Sequence, residues 1–293
     1  MKKTFLELEP ELCNPETAYF HILPIPYEGT VCFGKGTDEG PDAILAVSDQ
    51  MEYIDEETLY PFYKRGVFTC DPIPAAETPR EEMERIEATV RRLDLFRPDR
   101  FPIALGGEHS VSGPIIRVAA EKYDDLSVLQ FDAHSDLRDA FGPGGRDSHA
   151  SVMARALDSV ETVVQVGIRS FSEEDLERFP KQVENFLTPT MLEDDFDGCV
   201  EKALTRLTKN VYITVDMDAF DPAVAPGVGT PEPGGLSWRQ LVRFVQAVVA
   251  AKNVVGADVV ETAPLGGRHL VTEFAAARLV AKIMTAVGRK KAF

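Results

Sequence analysis

The sequence predicts an α/β protein, a single domain over residues 1–293, with helices covering both faces of a mainly parallel sheet. Three observations lead there. Six short apolar runs recur along the chain, helix-patterned segments separate them, and the acidic and histidine clusters sit at the ends of the runs. Runs that are continuously apolar, rather than alternating, are what strands buried on both faces of a parallel sheet require. Strand and helix patterns in alternation give the α/β class.

The runs are AYFHILPIP (18–26), FPIALGG (101–107), LSVLQFDAH (126–134), TVVQVGIR (162–169), VYITVDMD (211–218) and NVVGADVVE (253–261). Between them, Thr78, Pro79 and Glu81 supply an N-cap, a first-turn proline and a capping-box glutamate, which predicts a helix over 80–96. Ser237 with Gln240 opens another, whose Leu241, Val242, Val245, Val248 and Val249 share one face. A last helix is expected from near Thr272 to Val287, with Gly288 as its terminator. The loops rich in glycine and proline at 142–145 and 222–235 directly follow strands, so they are read as loops of one domain rather than hinges between two.

Composition narrows the function classes. The chain has 31 basic and 48 acidic residues and a formal net charge of −17, which argues against nucleic acid or an anionic membrane as the main partner. A cationic substrate suits that charge; acidity serving only solubility is the other reading. No stretch approaches the roughly 20 apolar residues of a membrane span. Acidic residues interrupt the start, MKKTFLELEPEL, so no secretory apolar region forms and a cytoplasmic location is expected. Cys13, Cys32, Cys70 and Cys199 are scattered without CxxC spacing, which indicates neither a disulfide framework nor a zinc knuckle.

In an open parallel sheet, ligands bind beyond the carboxyl ends of the strands. One run ends in FDAHSD, where Asp132, His134 and Asp136 occupy alternate positions and converge if the backbone stays extended. A second places Asp216 and Asp218 after VYITV, too apolar for a solvent-facing edge. Two carboxylates at a buried strand end repel unless a cation neutralises them. A third ends in Glu108, His109 and Ser110, with His109 the natural extra nitrogen ligand. Four aspartates and two histidines exceed the needs of one catalytic zinc, and their oxygen-rich character fits Mn²⁺ better than Zn²⁺. Shared between two ions, with some aspartates bridging, they would make the two-metal arrangement used in hydrolysis.

The remaining candidates each have a plain structural alternative. His149, after a glycine-rich stretch and near a helix start, is either a proton shuttle or a surface histidine. Glu261, closing an apolar run, either holds a cationic substrate or forms a structural salt bridge. His21 reads as a core residue and His269 as an exposed loop residue.

GGEHS, FDAHSD, DSHAS, TVDMDAFDPAVAPGVGTPEPGGLSW and DVVETAP, in this order, resemble the ureohydrolase family of arginase and agmatinase, most closely its agmatinase members. The N-terminal IPYEGTVCFGKGTDEGPDAI is similar to further family segments. The resemblance implies a three-layer α-β-α arginase-like fold and two Mn²⁺ per subunit, with Asp132 and Asp216 bridging. His109 and Asp136 would complete one site, and His134 and Asp218 the other. It implies that Glu261 pairs with a guanidinium, that Asp136 or Asp218 takes part in proton transfer, and that His149 relays protons and meets the substrate, with Ala150 where the family has glycine. The implied reaction is hydrolysis of agmatine to putrescine and urea, a step of polyamine biosynthesis. Aminopropylagmatine, guanidinobutyrate or arginine are the rival substrates, and a noncatalytic metal-binding scaffold is the rival class. Arg138 and Arg146, in LRDAFGPGGRDS, either bind a substrate carboxylate or pair with local acids, and pairing is expected for a dicationic substrate. A homo-oligomer, trimer or hexamer, is expected on the resemblance alone.

Overall fold

The computed structural model describes residues 3–290. Seven strands form one parallel sheet: β1 (Phe20–Ile25), β2 (Val67–Thr69), β3 (Phe101–Gly106), β4 (Leu126–Phe131), β5 (Thr162–Val166), β6 (Asn210–Asp216) and β7 (Asn253–Val260). Their spatial order is β2-β1-β3-β7-β6-β4-β5, with every pairing parallel. The helices are α1 (Gly40–Ser48), α2 (Pro79–Leu93), α3 (Ser112–Ala120), α4 (Val152–Ala156), α5 (Glu173–Arg178), α6 (Pro180–Val183), α7 (Pro189–Asp194), α8 (Phe196–Arg206), α9 (Trp238–Ala251) and α10 (Val271–Lys290). Among the described residues, no helix is long and apolar enough to cross a membrane.

Both sheet faces are covered, which gives the α/β three-layer fold the apolar runs predict. One core packs Leu129, Phe131, Val211, Ile213, Val215, Ala257 and Val259 against residues of α1, α8, α9 and α10. The other packs Val128, Tyr212 and Val260 against α2, α3 and α4. The period of two along a strand then assigns the polar residues to a face. Gln130 and Asp132 follow Val128, and Thr214 and Asp216 follow Tyr212, so all four lie toward the second layer.

Local chemistry explains most element ends. The expected capping boxes form at Thr78 with Glu81 and at Ser237 with Gln240. Helix α2 stops at Leu93 rather than at residue 96, because Asp94 turns left-handed with φ 46°, leaving Leu95 and Phe96 buried beyond it. Gly288 does not terminate α10, which continues to Lys290; a Cβ on Gly288 would lie 3.0 Å from the Tyr60 ring, so close packing explains that glycine. Strand β2, three residues at the sheet edge, is too short for a periodic signal. Buried Lys282 of α10 is clasped by Asp55, Glu56 and Glu57, so that acidic group already holds an internal cation.

His21 lies inside β1 as expected, buried, its Nε2 donating to the Ala18 carbonyl at 3.1 Å. Burial, reinforced by the Arg100 charge, lowers its pKa to about 4, against the small raising effects of the Ala18 carbonyl, Asp99 and Glu16. The unfolded chain therefore binds a proton below about pH 6.5 that the folded chain refuses until about pH 4, and stability falls as pH drops through that window. Denaturant melts at pH 7.5 and 5 are expected to show about 2 kcal/mol more acid loss in the wild type than in His21→Gln. Equal losses would mean that His21 is not the group refusing the proton.

Candidate metal centre and active site

Strands β3, β7, β6 and β4 are neighbours, and their carboxyl ends deliver His109, Glu261, Asp216 with Asp218, and Asp132 with His134 and Asp136 to one place. The FDAHSD segment does not stay extended throughout. Strand β4 ends at Phe131, a single bridge pairs His134 with Ser170, and Asp136 turns left-handed at φ 53°. That turn, costly for a residue with a Cβ, sends its carboxylate back beside Asp132 instead of outward.

Two groups result. His109 Nδ1 lies 3.0 Å from Asp132 Oδ2, 3.1 Å from Asp136 Oδ2 and 3.4 Å from Asp216 Oδ2. His134 Nδ1 lies 2.9 Å from Asp218 Oδ2 and 3.7 Å from Asp132 Oδ1. The sets His109, Asp132, Asp136 and Asp132, His134, Asp218 each bring their ligand atoms within 4.8 Å of one another. Asp132 belongs to both, one oxygen toward each histidine.

Hydrogen bonds beneath His109 test whether these residues fit a metal. Thr214 donates to Asp258 Oδ1 at 2.6 Å, and Tyr212 donates to Asp258 Oδ2 at 2.9 Å. With its hydrogen so committed, Thr214 Oγ1 accepts from His109 Nε2 at 2.9 Å. This fixes the ring and points Nδ1 at three carboxylate oxygens, where it makes no well-formed hydrogen bond. One N–H cannot serve three carboxylates, and a lone pair there repels all of them. A cation resolves both problems, so the donor set fits a metal.

Electrostatics agree. Burial followed by the Asp218 and Asp132 charges holds Asp216 well above the ordinary carboxylate range, and burial followed by Glu108 does the same to Glu261. Burial alone would lower His134, but Asp218 and Asp132 outweigh it and push the ring up to about 12. Burial would likewise lower His109, and its three carboxylates raise it instead. Asp132 shifts the other way: burial alone would raise it, but hydrogen bonds and charge from His109 and His134 hold it below the ordinary carboxylate range. The four raised groups are those of a site short of positive charge.

Glu261, left-handed at φ 62°, has Oε1 accepting the backbone N–H of His109 at 2.7 Å. It lines the same cavity, about 220 Å³, as His109, His134, Asp136, Asp216, Asp218 and His149. His149 opens a short 3-10 turn ahead of α4, stands apart from both metal groups and faces the cavity from its wall. His269 is exposed. Arg146 pairs with Asp139 and Asp158 outside the cavity, as expected. Arg138 departs from that expectation: it lines the cavity with its guanidinium 5.0 Å over the Phe141 ring, and no acid among the described residues lies within ion-pair distance. Stacking on an aromatic face takes the place of the acid there.

Several supporting residues carry no recognisable motif. Thr214 and Asp258 hold His109, and Gln130 donates to Asp132 Oδ2 at 2.7 Å while accepting from Gln165. Arg169 donates to the carbonyls of Asp218 at 2.8 Å and Glu232 at 2.7 Å, pinning the loop after β6. The available signal was a polar residue inside an apolar run, which must find a buried partner.

The arginase family model matches residues 18–286. The chain belongs to the arginase family. It is therefore a ureohydrolase, a hydrolase of amidino C–N bonds, in a family that depends on a binuclear metal centre. Similar relatives include the N(1)-aminopropylagmatine ureohydrolase of Thermus thermophilus, 38% identical over 90% of this chain and 89% of its own. The agmatinase of Bacillus cereus is 34% identical over 96% and 95%. Among solved structures, the agmatine ureohydrolase of Thermoplasma volcanium superposes with a TM-score of 0.86 at 28% identity, covering 100% of this chain and 96% of that one.

Proposed function

We propose that this ureohydrolase is an agmatinase, with His109, Asp132, His134, Asp136, Asp216 and Asp218 holding two Mn²⁺. His109 and Asp136 would hold one ion and His134 and Asp218 the other, with Asp132 and Asp216 available to both. The observation that carries this reading is the convergence of His109, His134, Asp136, Asp216 and Asp218 with Glu261 on one cavity, with buried Asp132 joining both groups behind it. Bound there, the ions would supply Lewis acidity, making water a better nucleophile and stabilising developing negative charge.

The chain's own residues do the rest. Glu261 pairs with the guanidinium through charge-assisted hydrogen bonds and sets its carbon over the metal groups. Asp136 or Asp218 accepts the proton that the attacking water loses and passes it toward the leaving nitrogen. His149, on the cavity wall, exchanges protons between the departing amine and solvent. Water adds to the guanidinium carbon and the C–N bond to the alkyl chain breaks, so agmatine yields urea and putrescine with the positive charge conserved. The products place the enzyme in polyamine biosynthesis.

N(1)-aminopropylagmatine is the second reading, favoured by the 38% identity to the Thermus relative of that name. The test is urea release from agmatine, N(1)-aminopropylagmatine, 4-guanidinobutyrate and arginine, with Mn²⁺ and after chelation. Agmatine with Mn²⁺ is expected to give the highest kcat/KM, and chelation to remove activity that added Mn²⁺ restores. A kcat/KM on the order of tenfold higher for the aminopropyl compound would select the second reading. Preference for guanidinobutyrate would assign Arg138 to a substrate carboxylate, and no urea from any compound would end the hydrolase reading of this site.

A further inference from the structure

Glu108, Thr30 and Gly144 are left without a task by the reaction above. Glu108 is fully buried, and its two oxygens accept four hydrogen bonds. Oε2 takes the backbone N–H of Gly29 at 2.8 Å and of Thr30 at 2.6 Å; Oε1 takes the hydroxyls of Thr30 and Ser110, each at 2.6 Å. Thr30 Oγ1 also lies 3.0 Å from His149 Nδ1 and 3.1 Å from the backbone nitrogen of His149. A hydroxyl has one hydrogen. The Thr30 hydrogen is committed to Glu108, so its oxygen only accepts, both from the His149 backbone and from the ring.

We infer that Glu108 and Thr30 are positioning residues that lock His149 as the Nδ1–H tautomer, leaving Nε2 as the one basic ring atom for proton exchange in the cavity. The inference rests on the proposed proton-relaying role of His149. Direction follows from counting donors: an acceptor-only carboxylate polarises a hydroxyl, which orients an imidazole. Nε2 makes no hydrogen bond among the described residues. Packing holds the same geometry. Phe141 meets the ring edge-on with centroids 5.9 Å apart, and a Cβ on Gly144 would fall 2.4 Å from Thr30 Cγ2. The glycine-rich loop is thus small where it must press Thr30 onto the ring.

The experiment uses the full chain with its five histidines ¹⁵N-labelled and diamagnetic Zn²⁺ bound, the His149 signals being identified by their absence in His149→Gln. The wild type and Thr30→Ser are expected to show the Nδ1–H pattern, and Thr30→Val, which removes the hydroxyl at constant shape, a mixed or Nε2–H pattern. With Mn²⁺, Thr30→Val is expected to lose kcat on the order of tenfold with KM within about twofold and two metal ions per chain retained, and Thr30→Ser to recover the rate. An Nε2–H pattern in the wild type overturns the inference even if Thr30→Val does not fold. So does a Thr30→Val protein whose ring pattern and kcat both match the wild type. Absence of urea from every guanidino compound with the wild type would instead remove the hydrolase reading, while the ring spectrum still decides the tautomer.

Discussion

Asp132→Ala is expected to lower kcat/KM for urea release by at least about a thousandfold and to reduce bound metal from two ions per chain to less than one. The reason is geometric: among the described residues, Asp132 alone lies within ion-pair distance of both histidines, at 3.0 Å from His109 Nδ1 and 3.7 Å from His134 Nδ1. Losing a residue that merely orients a ligand typically costs ten- to a hundredfold in affinity or activity, and a ligand shared by two sites costs both at once. Removing it also leaves Asp136, Asp216 and Asp218 buried with one negative charge fewer, which weakens the attraction for either cation. Metal analysis of the purified variant beside a urea assay gives the answer, with circular dichroism to show an intact fold. An alanine variant that kept two ions and full turnover would refute the site assignment.

Glu261→Gln should separate substrate from metal. Glutamine keeps the shape, and its side-chain oxygen can still accept the His109 backbone N–H that Glu261 accepts at 2.7 Å. What it loses is the charge proposed to face the guanidinium. A charge-assisted pair weakened to neutral hydrogen bonds in a closed cavity is expected to cost roughly a hundred- to a thousandfold in kcat/KM, with both ions retained. Steady-state kinetics with parallel metal analysis would show it. Loss of metal together with activity would instead make Glu261 part of the metal framework, its φ of 62° serving His109 and not substrate.

The legibility of the site divides along physical lines. His109, Asp132, His134, Asp136, Asp216 and Asp218 were visible because charge at the end of a continuously apolar run cannot be a solvent face, and three such ends in one chain point to a shared cation. The polar residues below them were not. Thr214, Asp258 and Gln130 each occupy one position inside a run, where a single side chain carries no spacing and its partner comes from another strand. Arg138 was misjudged for a related reason: local acids were available in sequence, but the fold offers Arg146 to them and stacks Arg138 on Phe141.

Sequence by itself determined the α/β class, the parallel sheet, the capped helices and the residue types of the candidate ligands, because each depends on periodicity or on chemistry within a few residues. Tertiary structure alone decided which candidate ligand joins which group. The strand order puts β4 beside β6 and β3 beside β7, and the left-handed turn at Asp136 folds FDAHSD so that Asp136 faces His109 while His134 faces Asp218. Pairings between residues 23 to 107 positions apart leave no local trace, since a residue's neighbours along the chain do not constrain which distant strand end comes to lie beside it.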